Sequence, residues 1–106
     1  MDNLNAIFYK NSFALITETS KSIEYENRNN REIVYLLPNV GISIVLNPNT
    51  AEKNSMLTSE KKYHNSSMKK FPTRVNNGKK PIHYGYSFKF NQESELDYFL
   101  NDLNRS

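Results

Sequence analysis

With 106 residues, of which 37% are hydrophobic and 24% charged, the chain has the composition of one globular domain, residues 1–106, with a modest core. It contains no cysteine, which excludes a disulfide framework, a thiolate zinc site and a cysteine nucleophile. The formal net charge is +3, no stretch approaches the roughly 18 apolar residues of a membrane helix, and MDNLNAIFYKNSF lacks the basic start and apolar run of a signal peptide. A cytoplasmic protein is the expectation.

Leu4, Ile7 and Phe8 stand at i, i+3, i+4 and give residues 3–11 one apolar helical face, with Asp2 or Asn3 as N-cap. FALITE (13–18) is short and rich in β-formers, and SIEYEN (22–27) alternates polar and apolar as a half-buried strand does. Asn27-Arg28-Asn29-Asn30 reads as a turn. EIVYLLP (32–38) and GISIVLNP (41–48) are apolar runs that each end in proline, as two central antiparallel strands would. Residues 47–60 are polar and loop-like. HYGYSFKF (83–90) places Tyr84, Tyr86, Phe88 and Phe90 on one side of a strand. Asn91 then caps a helix in which Leu96, Phe99, Leu100 and Leu103 fall at i, i+3, i+4, i+7. The fold class is therefore α+β: an antiparallel sheet of about five strands with N- and C-terminal helices packed on one face. A strand such as 22–27, if it lies at an edge, offers a route to a weak homodimer; a monomer is the other expectation.

Charge is unevenly placed. Residues 61–92 hold eight Lys/Arg (61, 62, 69, 70, 74, 79, 80 and 89) and no Asp or Glu, while the other 74 residues hold six basic and eleven acidic residues, a net of −5. A basic segment on a mildly acidic body predicts a charged partner surface better than the total does. Inside that segment, NNG (76–78) is a turn, and Met68 and Phe71 are expected to tuck KKYHNSSMKKFPTR onto the sheet.

Chemistry has little foothold. His64 and His83, with lysines near, meet the minimum for metal-free RNA cleavage, one base, one acid and one cation. That requirement is loose, and a structural hydrogen bond for His83 and simple exposure for His64 are the favoured readings. Glu24 and Glu26 alternate on a strand, as a weak cation site or a solvated strand face would. No H-x-H or H-x-x-x-H spacing, phosphate-binding glycine loop or G-x-S-x-G is present. No catalytic residue, metal or cofactor is expected.

VLNP (45–48), KKFP (69–72) and IHYGYSFKF followed by ELDYFL (82–100) occur in an order that resembles the YgaC-like family of small bacterial cytoplasmic proteins. The resemblance covers about the last two-thirds of the chain. It implies a sandwich like the secretion-chaperone fold and the N-terminal domain of TfoX-like proteins. It implies no activity and transfers no functional residue.

The expected function is binding of another macromolecule. A protein partner is favoured, most concretely the toxin domain that an immunity protein neutralises. Two opposed patches suit this: the basic residues Lys69, Lys70, Arg74, Lys79 and Lys80, and the acidic helix residues Glu93, Glu95 and Asp97 with Asp102. The alternative is a nucleic-acid-binding or regulatory protein using segment 61–80, with aromatics to stack on bases. Only one of the eight cations of residues 61–92 is arginine, which weakens base readout.

Overall fold

The computed structural model describes residues 2–38, 40–53, 61–75 and 80–105. In chain order they form α1 (Asp2–Lys10), β1 (Phe13–Glu18), β2 (Ile23–Asn27), β3 (Ile33–Leu37), β4 (Ile42–Leu46), α2 (Pro48–Lys53), β5 (Lys61–His64), β6 (Thr73–Val75), β7 (Pro81–Phe90) and α3 (Glu93–Asn104). The architecture is α+β, an antiparallel sheet carrying the terminal helices. Strands run in the order β1-β2-β3-β4-β7-β5, with β6 also paired to β7.

Three differences from the sequence reading have physical causes. The basic segment, to which the sequence reading gave no strand, contributes β5 and β6, so the described residues form seven strands; short strands with basic residues lack the apolar alternation that marks the others. Residues 48–53 are helical because Pro48 sits in the first turn, where its missing N–H is harmless, and Asn47 Oδ1 accepts from the Asn49 N–H at 3.0 Å. Residues 54–60 of the expected loop and the NNG turn lie outside the described residues. Finally, β2 is paired on both sides, so 22–27 is not an edge; β1 and β5 are.

Residues paired across strands share a face, which divides the sheet cleanly. One face packs on α1 and α3 through Phe8, Phe13, Tyr25, Val34, Leu36, Ile44, Leu46, Phe88, Leu96 and Leu100. Phe8 stacks on Tyr25 with ring centroids 3.9 Å apart. Asn27 is fully buried at the end of β2: its side-chain Oδ1 accepts from the Asn29 and Asn30 N–H groups, and its Nδ2 donates to Asn104 Oδ1 on α3 at 3.0 Å. The opposite face carries a smaller core of Tyr35, Leu37, Val45, Met68 and Phe71. Met68 and Phe71 thus tuck residues 65–72 onto the sheet as the sequence suggested.

Gly85 is the crossing point of these parts. It lies on β7 where β4 ends and residues 65–72 pass over. A Cβ there would sit 2.4 Å from the Leu46 carbonyl oxygen and 2.7 Å from Val45 Cγ1. A backbone oxygen cannot move aside cheaply, so no other residue fits between β4 and the chain above it. Gly85→Ala is expected to lower the stability by about 3 kcal/mol, read as a fall in the urea midpoint.

Candidate functional site

The basic segment is held down by a polar lock. Residues 65–72 form a strap over the second face, and the hydroxyl of Tyr35, on the sheet beneath, is the centre of the lock. It accepts from the Lys70 backbone N–H at 3.1 Å and donates to Glu24 Oε1 at 3.1 Å. Burial holds the Tyr35 phenol well above its ordinary range, so it stays protonated and can donate. Lys70 Nζ stands 3.3 Å from Glu24 Oε2. At the far end, His83 Nδ1 lies 2.7 Å from the Phe71 carbonyl oxygen. His83 therefore has the structural hydrogen bond, and Lys70 is tied into the fold.

Between this strap and β1 lies a groove of about 500 Å³, lined by Ile16, Thr17, Thr19, Glu24, Ser66, Ser67, Lys69 and Lys70. A β-bulge shapes its wall. Leu15 pairs with Tyr25 but Thr17 pairs with Glu24, so Ile16 is the extra residue. The bulge turns Ile16 and Thr17 to the same side, over Glu24. Glu24 is only 6% exposed, so it is not the solvated strand residue that alternation suggested. Glu26, 3.9 Å from Arg31, remains near the surface.

The remaining cations of the segment stand elsewhere. His64 pairs with Tyr84 and Arg74 with Ile82, which sets both on the helix side of the sheet, beyond the helices. Tyr84 stacks with His64 at 5.8 Å between ring centroids, and the Arg74 guanidinium lies 5.6 Å from the Tyr84 ring. Tyr84 is thus a platform between two strands and not a core aromatic; Phe88 is buried and Tyr86 and Phe90 are partly so. His64 is half-buried, and its Nε2 is shielded with no hydrogen-bond partner, which corrects the expectation of simple exposure. Burial, then the charges of Arg74 and Lys62, hold its pKa below 6.5. His83 neighbours Tyr84 in the strand and so points to the opposite face. The two histidines do not converge on one acid–base pair. Lys80 is exposed, and Lys79 lies outside the described residues. Among the described residues no three His, Cys, Asp or Glu side chains come together to hold a metal ion, and no helix is long and apolar enough to cross a membrane.

The acidic patch sits on α3, and half of it serves the fold. Glu95 Oε1 accepts from the Asn91 and Gln92 N–H groups at 2.7 and 3.1 Å. The N-cap is accordingly Gln92, one residue later than Asn91. Asp97 joins α3 to α1 by accepting from Asn11 Nδ2 at 2.8 Å and Lys10 Nζ at 2.7 Å. Those bonds, with the Asn11 contact foremost, hold its carboxyl below the ordinary value of 3.8. Glu93 stays exposed in the first turn. Charge and periodicity did not single out two exposed side chains on the terminal helices: Tyr98 on α3, 74% exposed, and Tyr9 on α1, 64% exposed.

No family model, curated protein or solved structure matches the chain.

Two outcomes follow from this geometry. Tyr35→Phe removes the donor to Glu24 and the acceptor for Lys70, and should cost about 1–3 kcal/mol in urea unfolding. For pH, both shifted groups hold a proton less readily folded than unfolded. The His64 contribution is therefore complete above 6.5 and erodes as pH falls below it, while that of Asp97 is complete above 3.8 and erodes below that. Stability measured from pH 7 to 5 should fall, and His64→Gln should flatten that slope.

Proposed function

We propose that this chain is a non-catalytic binding protein, and most concretely an immunity protein that neutralises a bacterial toxin by covering it with the α1–α3 face. The observation that carries this reading is the exposure of Tyr98 on α3, the helix that also carries Glu93, Glu95, Asp97 and Asp102. Tyrosines exposed to this degree gain nothing for the monomer's core, and tyrosine is among the residues that dominate binding energy at interfaces. The surrounding acids would complement a basic cleft such as that of a nuclease, speeding encounter and setting orientation. Asp97 and Glu95 are already fixed by Lys10, Asn11 and the helix start, so this surface is rigid before any partner arrives.

The basic patch supports the reading less. Its cations divide between two faces of the sheet, and Lys70 is paired with Glu24. The same division weighs against the alternative, nucleic-acid binding by segment 61–80, for which Arg74, Lys62 and the Tyr84 platform are the remaining support.

The test is co-expression with the toxin domain encoded by a neighbouring gene. The chain should restore growth, and the double variant Tyr9→Ala, Tyr98→Ala should lose protection and bind at least roughly 30-fold more weakly with an unchanged circular dichroism spectrum. No protection by the parent chain, or full protection by the double variant, refutes the proposal. Strong binding of a single-stranded oligonucleotide at low salt, weakening steeply as salt rises, would favour the alternative instead.

A further inference from the structure

The groove between the β1 bulge and the strap contains a feature that the fold alone does not use. Glu24 Oε1 receives the Tyr35 hydroxyl, but Oε2 is shielded from water and receives no hydrogen bond. Lys70 Nζ is near it, at 3.3 Å, yet outside hydrogen-bond geometry, and the Lys70 side chain is 55% exposed. A buried carboxylate costs several kcal/mol unless its oxygens are satisfied. Orienting Tyr35 needs only one acceptor oxygen, which a glutamine would supply without the charge. Glu24 lines the groove of about 500 Å³, within the size range of small-molecule sites, and the Lys70 ammonium stands 3.3 Å from its second oxygen.

The lining sorts by chemistry. Glu24 is the one carboxylate of the lining. Ile16, brought to this side by the bulge, gives an apolar wall. Lys69 and Lys70 stand at the rim. The hydroxyls of Thr19 and Ser67 are occupied within the chain: Thr19 Oγ1 accepts from the Lys21 and Ser22 N–H groups, and Ser67 Oγ bonds to Asn65 Oδ1. Recognition by charge and apolar contact therefore falls to Glu24, the two lysines and Ile16, with the Thr17 and Ser66 hydroxyls beside them.

We propose that this groove binds a small zwitterion of the free amino-acid class. Its ammonium group donates to Glu24 Oε2, its carboxylate meets Lys69 and Lys70, and its aliphatic part lies on Ile16. Lys70 turns from Glu24 to the ligand carboxylate as the ammonium takes its place, so the buried charge is never left without a cation. Neither a simple cation nor a simple anion satisfies both ends. The groove is on the sheet face opposite α1 and α3, so the proposal does not depend on the toxin-binding reading.

The experiment is titration of the isotope-labelled full chain with a panel of free L-amino acids at millimolar concentration, followed by amide chemical shifts, with acetate and methylammonium as half-ligand controls. Saturable shifts confined to Ile16, Thr17, Glu24 and Lys70 are expected for one or more amino acids and for neither control. Glu24→Gln keeps an acceptor for Tyr35 and should weaken binding by at least about tenfold. Lys69→Met, at an exposed position, should weaken it with the unfolding midpoint unchanged. The proposal is overturned if no amino acid shifts these amides, if acetate alone reproduces the shifts, or if Glu24→Gln binds as well as the parent.

Discussion

One phenolic hydroxyl holds the second layer of this protein in place. Helices α1 and α3 cover one face of the sheet with more than ten buried apolar side chains. Among the described residues the other face carries an eight-residue strap, and two apolar anchors, Met68 and Phe71, are a small hydrophobic term for ordering that much backbone. Tyr35 supplies what is missing. Its ring packs edge-on against Phe71 at 4.8 Å, and its hydroxyl fixes both the strap backbone at Lys70 and the carboxylate of Glu24. Because the hydroxyl is buried, each of these bonds is costly to leave unmade, and the three groups act as one unit.

That lock also decides what the basic segment presents to solvent. A run of cations without acids looks continuous in the chain, yet two strands within it, β5 and β6, pair on β7 and alternate their side chains between faces. Lys69 and Lys70 emerge beside β1, while Lys62, His64 and Arg74 gather at Tyr84 on the other side. Cations separated by a sheet do not make one electrostatic field for a polyanion at the distances over which charge is screened in salt. The acidic residues of α3, in contrast, project from a single helix, which also presents the exposed Tyr98.

The elements with strong periodicity were legible in the sequence: the amphipathic α3, the alternation of β2 and β7, and the apolar runs of β3 and β4. Each buries a face in the main core, which is the property that periodicity reports. The burial of Met68 and Phe71 and the structural role of His83 were also legible, from isolated apolar residues in a polar stretch and from the strand start. What was hidden depends on tertiary partners. Glu24 reads as a solvated residue until Tyr35 and the strap arrive above it. Ile16 reads as an ordinary strand residue until the bulge turns it. The asparagines, numerous enough to look like composition, include Asn11, Asn27 and Asn104, whose amides tie β2 and α1 to α3. No local pattern marks a side chain whose partner is 77 or 86 residues away.

The HYG motif that first suggested a family can be understood from these contacts without reference to any relative. His83 holds the Phe71 carbonyl and so the end of the strap. Tyr84 carries the stacked His64 and Arg74 on the opposite face. Gly85 lets the Leu46 carbonyl approach to a distance that excludes a side chain. Three consecutive residues thus serve three different layers, and each is required by the same geometric event, a strap crossing β7 at the point where β4 stops. A fold that needs such a crossing needs a residue without a Cβ at its centre, whatever the protein binds. The features free to vary with a partner are the ones outside this crossing: Tyr9 and Tyr98 on the helices, and the groove that the bulge opens above Glu24.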